Sequence, residues 1–137
     1  FVISALVGGA HLSFYRQWAA AGMKQRIPLA STTLGVGNEH KVLTSAEGDG
    51  ILVAYNYSPE LATPANKAFL ARWSAMHGGD TAAINELAVL HYQGIKLWAE
   101  GVKRANSLDR AKVIAAMANG ASIEGPSGKV TIDRATH

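Results

Sequence analysis

The chain has 137 residues, of which 48% are hydrophobic and 17% charged, and it contains no cysteine. This size and balance predict a folded chain with a hydrophobic core, and the cysteine count excludes disulfides, cysteine metal sites and thiol nucleophiles. The formal net charge of +3 suggests nucleic-acid binding as one function to consider. The basic residues, however, are dispersed or share helices with acidic residues, which favours a solvated surface instead.

The first predicted elements are a strand and a helix. Segment 1–7 is apolar and predicts a buried strand; it has no methionine, charged leader or cleavage site before it, so we expect the natural N-terminus to lie upstream. Phe14, Trp18 and Ala21 at helical spacing predict a helix that Gly22 ends. No apolar run approaches the roughly 20 residues of a spanning helix, so the sequence predicts no membrane-spanning segment.

Short strands then alternate with helices through the first half of the chain. Segment 27–33 predicts a second strand, and a glycine-rich loop and a short polar helix at 39–44 follow it. The turn signal at 47–50 precedes a third predicted strand at 51–57. This alternation indicates an α/β fold, with a parallel sheet and flanking helices.

The second half is richer in predicted helix. Segment 58–64 contains prolines and is weakly apolar, and we interpret it as a crossing between two lobes. Thr63 as N-cap and Pro64 at the first helical position predict that a helix begins there. The apolar face of the next, longer helix is predicted to hold Ile84, Leu87, Ala88, His91, Ile95, Trp98 and Val102. Ser107 is expected to cap a third helix, and a turn at 126–128 leads into a final strand. The inward residues of that third helix are expected to be Val113, Ile114 and Met117.

The sequence lacks the usual signatures of a cofactor or catalytic site. The motif 35–37 resembles the start of a dinucleotide fingerprint, but His40 occupies the third glycine position and no acidic residue follows at the needed distance. The five histidines have no metal-binding spacing. No serine lies in a nucleophile elbow, and no carboxylates are paired to flank a substrate. We therefore expect no metal, no cofactor and no catalytic residues.

Hydroxyl groups are concentrated near the predicted strand ends. Ser4 and Ser31 lie there, beside Thr32 and Thr33. These hydroxyls can either bind a polar neutral ligand or satisfy nearby backbone groups. Tyr55 and Tyr57 lie at the end of the third predicted strand, where a phenol can either wall a site or pack at the lobe junction.

Several motifs resemble those of one protein family. The run 55–57 followed by 63–69 looks like the second-crossing region of type I periplasmic binding proteins of the urea, short-chain amide and branched-chain amino acid group. Further matching motifs, in order along the chain, are Val7-Gly8-Gly9, Phe14-Tyr15-Arg16, His91-Tyr92-Gln93-Gly94 and Gly125 to Val130. Together these motifs cover nearly the whole chain.

The resemblance implies a two-lobed solute-binding protein of which this chain is a fragment. Residues 1–57 would be part of the second lobe, and residues 58–137 the returning part of the first lobe. In such proteins a small solute binds in the cleft, the lobes close by hinge motion, and the closed form docks on an ABC transporter permease driven by a separate ATPase. The resemblance thus implies a periplasmic, non-enzymatic protein that binds no nucleic acid and meets the membrane only through the permease.

The same resemblance implies where the ligand binds. The expected ligand-binding residues are Ser4, Leu6, Val7, Gly8, Thr32, Thr33, Leu34 and Tyr55. Amino-acid binders of this group tend to place an acidic residue at the end of the second strand to hold the ammonium group. Thr33 and Leu34 stand there in this chain, which favours a neutral amide or urea, because a buried ammonium without a countercharge is costly. A branched-chain amino acid remains the third ligand class.

Two rival functions stay open from the sequence. A cytoplasmic amide sensor of the same fold would hold a transcription-regulating partner instead of feeding a transporter. A small Rossmann-type enzyme would require a phosphate-binding loop or a catalytic pair.

Overall fold

The computed structural model describes residues 1–79 and 84–137. These residues form two compact units, Phe1–Asn56 and Tyr57–His137, which we call unit 1 and unit 2. The division lies next to residue 57, where the sequence places a boundary. The assignment of the units to two lobes stays a prediction.

Unit 1 is a small parallel α/β layer. Its elements are β1 (Val2–Ser4), α1 (Gly9–Ala20), β2 (Leu29–Ser31), α2 (Ser45–Gly48) and β3 (Leu52–Val53), with short 3-10 turns at Met23–Gln25 and Glu39–Lys41. The sheet order is β1-β2-β3, and both pairings are parallel. Helix α1 connects β1 to β2 as the crossover that parallel strands require. The predicted parallel sheet with flanking helices is confirmed.

All three strands of unit 1 are shorter than the apolar runs that predict them. Strand β2 ends at Ser31, although the apolar and hydroxyl-rich run extends to Thr33. The Ser31 hydroxyl oxygen accepts hydrogen bonds from the backbone amides of Thr33 and Leu34, at 3.2 and 3.0 Å. Such local side-chain bonds compete with ladder pairing, and the chain therefore turns out of the sheet here.

The core of unit 1 lies between α1 and the sheet. Its buried members are Tyr15, Leu29 and Leu34, and the partly buried residues packed against them are Val2, Phe14, Trp18, Leu43 and Ile51. Phe14, Trp18 and Tyr15 come from one helix, so the helix predicted from the spacing of its aromatic residues does face the sheet.

The described residues of unit 2 form three helices and a hairpin. Its elements are α3 (Pro64–Met76), α4 (Glu86–Ala105), α5 (Arg110–Ala118), β4 (Ser122–Gly125) and β5 (Gly128–Thr131). Strands β4 and β5 pair antiparallel. The Thr63 side chain accepts a hydrogen bond from the Asn66 amide at 3.2 Å, which confirms the predicted cap before Pro64. A core cluster in this unit contains Tyr57, Phe69, Ile84 and Val89.

Three expectations for the helices of unit 2 are wrong. The buried face of α4 is formed by Val89, Gln93, Leu97 and Gly101, whereas the predicted members Ile95 and Trp98 are 68% and 52% exposed. Ile114 is likewise exposed on α5. The cap of α5 is Asp109, whose carboxylate accepts from the Lys112 amide at 3.0 Å, because Ser107 lies too early and bonds the Asp109 amide instead.

Within residues 1–79 and 84–137, no helix combines the length and the apolar character that crossing a membrane requires.

Candidate functional site

The candidate site lies where β1 and β2 end at the same edge of the sheet of unit 1. Ser4 and Ser31 are paired at these strand ends. The Thr32 amide donates to the Ser4 carbonyl oxygen at 3.1 Å, and the Thr33 hydroxyl donates to the Leu6 carbonyl oxygen at 2.7 Å. The structure thus brings together segments 4–8 and 32–34, which hold most of the predicted ligand-binding residues and which we call the ligand wall. Open α/β sheets bind ligands outside such carboxyl ends.

Several predicted site residues are accessible at this edge within unit 1. Leu6 and Val7 are 39% and 71% exposed, and Thr32 is also exposed. Gly8 has φ of 72° and is the N-cap of α1, and a Cβ atom there would meet nothing within 4 Å. Ser4 is buried, and its hydroxyl oxygen lies 3.5 Å from the Leu6 amide.

Leu34 and Tyr55 are placed differently from the other predicted site residues. The Leu34 side chain is 7% exposed and belongs to the core of unit 1. The Tyr55 ring packs on the turn at Gly35, where an added Cβ atom would lie 3.0 Å from the phenol oxygen. Gly35 has φ of 97°, which favours glycine at this contact. Contact of either side chain with a ligand stays a prediction.

Four polar side chains lie in succession behind this edge, and we call Glu39, His11, Tyr15 and Ser31 the polar chain. His11 Nδ1 lies 3.5 Å from Glu39 Oε1, an ion-pair distance, and makes no hydrogen bond within the described residues, whereas His11 Nε2 lies 2.7 Å from the Tyr15 hydroxyl oxygen. The Tyr15 hydroxyl donates to Ser31 Oγ at 2.7 Å. His11, Tyr15 and Ser31 are at most 2% exposed. Buried polar groups in such a network strengthen one another, because the local dielectric is low.

The polar chain was not predicted from the sequence. His11 and Tyr15 are one helical turn apart, so their side chains share a face of α1, and this spacing is the signal that could have paired them. Glu39 lies far along the sequence, and only the packing of α1 against the loop brings it to His11. Within the part of the chain that the structure describes, no three His, Cys, Asp or Glu side chains are grouped to hold a metal ion.

The Glu39 carboxylate organises the glycine loop after β2. Its Oε2 atom accepts hydrogen bonds from the amides of Gly35 and Gly37, each at 3.0 Å. Burial raises the pKa of Glu39, but hydrogen bonds from its own amide and from those of Gly35 and Gly37, together with the charge of His11, outweigh burial and lower the pKa. Hydrogen bonds to the charged form favour ionisation, so the loop is built around a carboxylate.

We expect Glu39→Gln to lower the free energy of unfolding by about 2 kcal/mol at pH 7, because charge-assisted hydrogen bonds are lost. A group with a lowered folded-state pKa stabilises the fold above its unfolded-state pKa and loses that contribution as the pH falls through the folded-state value. The difference in free energy of unfolding between the native protein and Glu39→Gln should therefore be complete above pH 4.5, the ordinary pKa of a glutamate, and shrink below it. Urea unfolding across pH 3 to 7, roughly the range of carboxyl titration, measures this.

The matched control for this comparison is Glu124→Gln, on the exposed surface of β4 in unit 2. Exposed substitutions of this kind change stability by about 0.5 kcal/mol or less. Equal pH profiles for Glu39→Gln and the native protein would contradict the assigned role of the Glu39 carboxylate.

Comparison with known proteins gives one family. The sequence profile of periplasmic binding proteins matches residues 1–137, whereas no curated protein matches the chain. A solute-binding protein of an ABC transporter from R. palustris, solved with benzoate, is 29% identical over 93% of this chain, with a TM-score of 0.68. A second such protein from R. palustris, solved with 4-hydroxybenzoate, is 27% identical over 98% of this chain, with a TM-score of 0.75.

The matched region is only part of those two proteins. This chain covers 34% of the first and 37% of the second, so it spans about a third of their length.

Proposed function

Because this chain belongs to the periplasmic binding protein family, we propose that the protein of which it is part binds a small polar solute and delivers it to an ABC transporter permease. The observation that carries the proposal is the edge of unit 1, where Thr32 and Leu6 are exposed beside the ends of two parallel strands. Hydroxyl groups, backbone groups and alkyl groups at such an edge suit recognition of a small solute. No proton transfer or covalent step is required of them.

For the ligand we propose a neutral amide or urea, with a branched-chain amino acid as the less favoured member of the same group. Thr33 and Leu34 occupy the position after β2 where an acidic group would be needed to balance an ammonium ion. A buried ammonium without a countercharge is costly, whereas the hydroxyl of Thr33 can hydrogen-bond a neutral polar group.

A second candidate ligand class is an aromatic carboxylate. The two related solute-binding proteins were solved with benzoate and 4-hydroxybenzoate. Amides, urea and carboxylates share a planar head group with a carbonyl oxygen, so the shape of the head group does not separate them. Binding measurements on the two classes therefore decide between them.

The proposed partners and location follow from the proposed function. The permease would be the membrane partner, and the protein would act in the periplasm. If the protein were instead a cytoplasmic amide sensor, the same solute would bind, and the partner would be a transcription regulator. A complex isolated by affinity purification from the native host distinguishes a permease from a regulator as the partner.

The test of the proposed function is a thermal-shift panel on the full-length protein that carries this chain. The panel contains urea, acetamide, butyramide, leucine, glutamate, benzoate, 4-hydroxybenzoate and NAD. A ligand at a hundred times its dissociation constant stabilises the folded state by about 2.7 kcal/mol, which is a readily measured shift. We expect a shift with urea or an amide.

The panel separates the alternatives. A shift with the aromatic acids alone would keep the transport function and replace the amide by the second ligand class. Tight binding of leucine or glutamate without any response to amides would contradict the neutral ligand. A shift with NAD alone would contradict solute transport and favour the rival enzyme.

A further inference from the structure

Side chains of the polar chain, as well as the sheet, hold the backbone that follows β2. Ladder pairing of β2 with β1 ends at Ser31. The amides of Thr33 and Leu34 then donate to Ser31 Oγ, at 3.2 and 3.0 Å, and Ser31 Oγ itself accepts from the Tyr15 hydroxyl. The position of the wall therefore depends on a hydroxyl that α1 holds in place.

The other end of the same loop is held by the opposite end of the polar chain. Glu39 Oε2 accepts from the amides of Gly35 and Gly37, while Glu39 Oε1 faces His11 Nδ1 at 3.5 Å. His11 and Tyr15 join the two ends, since His11 Nε2 lies 2.7 Å from the Tyr15 hydroxyl oxygen. Four backbone amides of the loop 33–37 thus bond to the two ends of one side-chain network.

The network also reaches the hydroxyl that is expected to meet the solute. Thr33 Oγ1 lies 3.4 Å from both Ser31 Oγ and His11 Nε2, and it donates to the Leu6 carbonyl oxygen at 2.7 Å. Because its proton is committed to Leu6, the remaining lone pairs of Thr33 Oγ1 are what the half-buried side chain offers to a ligand. The direction of this hydroxyl is therefore fixed before a solute arrives.

We propose that Glu39, His11, Tyr15 and Ser31 are positioning residues that pre-organise the ligand wall at Thr33 and Leu34, so that solute affinity depends on a buried network that does not itself contact the solute. This inference rests on the proposed function. Pre-organisation raises affinity because the loop is already ordered, so that binding does not lose the entropy of ordering it. Groups that contact a ligand keep their geometry only when packing and hydrogen bonds from neighbouring residues hold them in place.

The test compares Tyr15→Phe with Tyr57→Phe in the full-length protein. Both phenols are buried, at 0% and 2% exposure, and each makes a hydrogen bond, Tyr15 to Ser31 at 2.7 Å and Tyr57 to Asn66 at 2.9 Å. Tyr57 belongs to the buried core cluster of unit 2, and its phenol donates to Asn66 in the same unit. Both variants remove one buried hydroxyl, so a purely structural role predicts similar effects on thermal stability and on affinity.

Two readouts are measured. Calorimetric titration uses butyramide, urea, leucine and 4-hydroxybenzoate as probes, and amide hydrogen exchange is followed by NMR without any probe. We expect Tyr15→Phe to raise the Kd of the bound probe about fivefold, the factor that one ordinary hydrogen bond represents, and Tyr57→Phe to leave it unchanged. We also expect faster exchange at the amides of Thr33, Leu34, Gly35 and Gly37 in Tyr15→Phe, but not at those of β1.

The outcomes separate this inference from the proposed function. If the native protein binds none of the probes, the proposed function fails, and the exchange data alone decide whether the network positions the loop. Unchanged exchange at 33–37 in Tyr15→Phe, or an equal increase throughout β1, overturns the positioning role. An equal rise in Kd for Tyr57→Phe overturns it as well, because the effect would then be one of general stability.

Discussion

Replacing Asn66 by alanine is expected to lower the free energy of unfolding by about 3 kcal/mol, since several buried polar groups lose their partner at once. Asn66 is 0% exposed. Its Oδ1 atom accepts from the Tyr57 hydroxyl at 2.9 Å, and its Nδ2 atom donates to the carbonyl oxygens of Pro59 and Leu61 at 2.9 and 2.8 Å. One side chain therefore fixes the start of unit 2, and urea unfolding of the full-length protein measures its contribution.

The control for Asn66 is its neighbour Lys67, which is exposed on the same turn of α3. Lys67→Ala should change the free energy of unfolding by about 0.5 kcal/mol or less. A loss below about 1 kcal/mol for Asn66→Ala would fall in the range of a single ordinary hydrogen bond, and the assignment of this residue as the anchor of segment 57–63 would then be wrong.

Replacing Gly101 by valine is expected to lower the free energy of unfolding by about 3 kcal/mol, the upper range for inserting bulk into a packed core. Gly101 is buried where α4 meets α5. An added Cβ atom would lie 2.3 Å from Met117 Cγ and 3.6 Å from Val113 Cγ1. The Met117 side chain and the packing of the two helices around it would have to shift, and urea unfolding would record the loss of stability.

Gly94 in the same helix provides the matched control. It is exposed, and a Cβ atom there would meet nothing within 4 Å. Gly94→Ala should therefore stabilise the protein by about 0.5 to 1 kcal/mol, because alanine loses less backbone entropy in a helix. A neutral effect of Gly101→Val would contradict the close packing of α4 and α5.

Local signals in the sequence predicted many of the element boundaries. The helix that begins at Pro64 follows from its proline and from the Thr63 cap, and the end of α5 follows from Gly120, whose φ is 77°. These features depend on one or two neighbouring residues. The parallel sheet of unit 1 also follows, because the alternation of strands and helices leaves few other arrangements.

The buried face of α4 could not be predicted from apolar spacing. Two of its four buried residues are Gln93 and Gly101, which an apolar pattern does not count. Gln93 is buried because its side-chain oxygen accepts hydrogen bonds from the amide and hydroxyl of Ser127, at 3.0 and 2.8 Å. Gly101 is buried because Met117 packs against it. Both reasons are tertiary contacts that override the local pattern.

The candidate site, too, could be predicted only in part. The ends of β1 and β2 could be predicted, because parallel strands bring their carboxyl ends to one edge, and Ser4 and Thr32 do meet there. The polar chain could not, because Glu39 reaches His11 only through the fold of the loop after β2. The ligand class stays a proposal, because amides, urea and carboxylates present similar planar head groups.

The central claim is that the protein binds a small polar solute at the edge formed by Ser4 and Thr32. Calorimetric titration of the full-length protein with butyramide and urea, beside 4-hydroxybenzoate, tests it most directly. We expect saturable binding of one solute per protein, weakened by about fivefold in Thr32→Val, which removes one hydrogen-bonding hydroxyl, and unchanged in Thr131→Val, an exposed position on β5. Absence of binding to every probe, or equal affinity for the native protein and Thr32→Val, would contradict the claim.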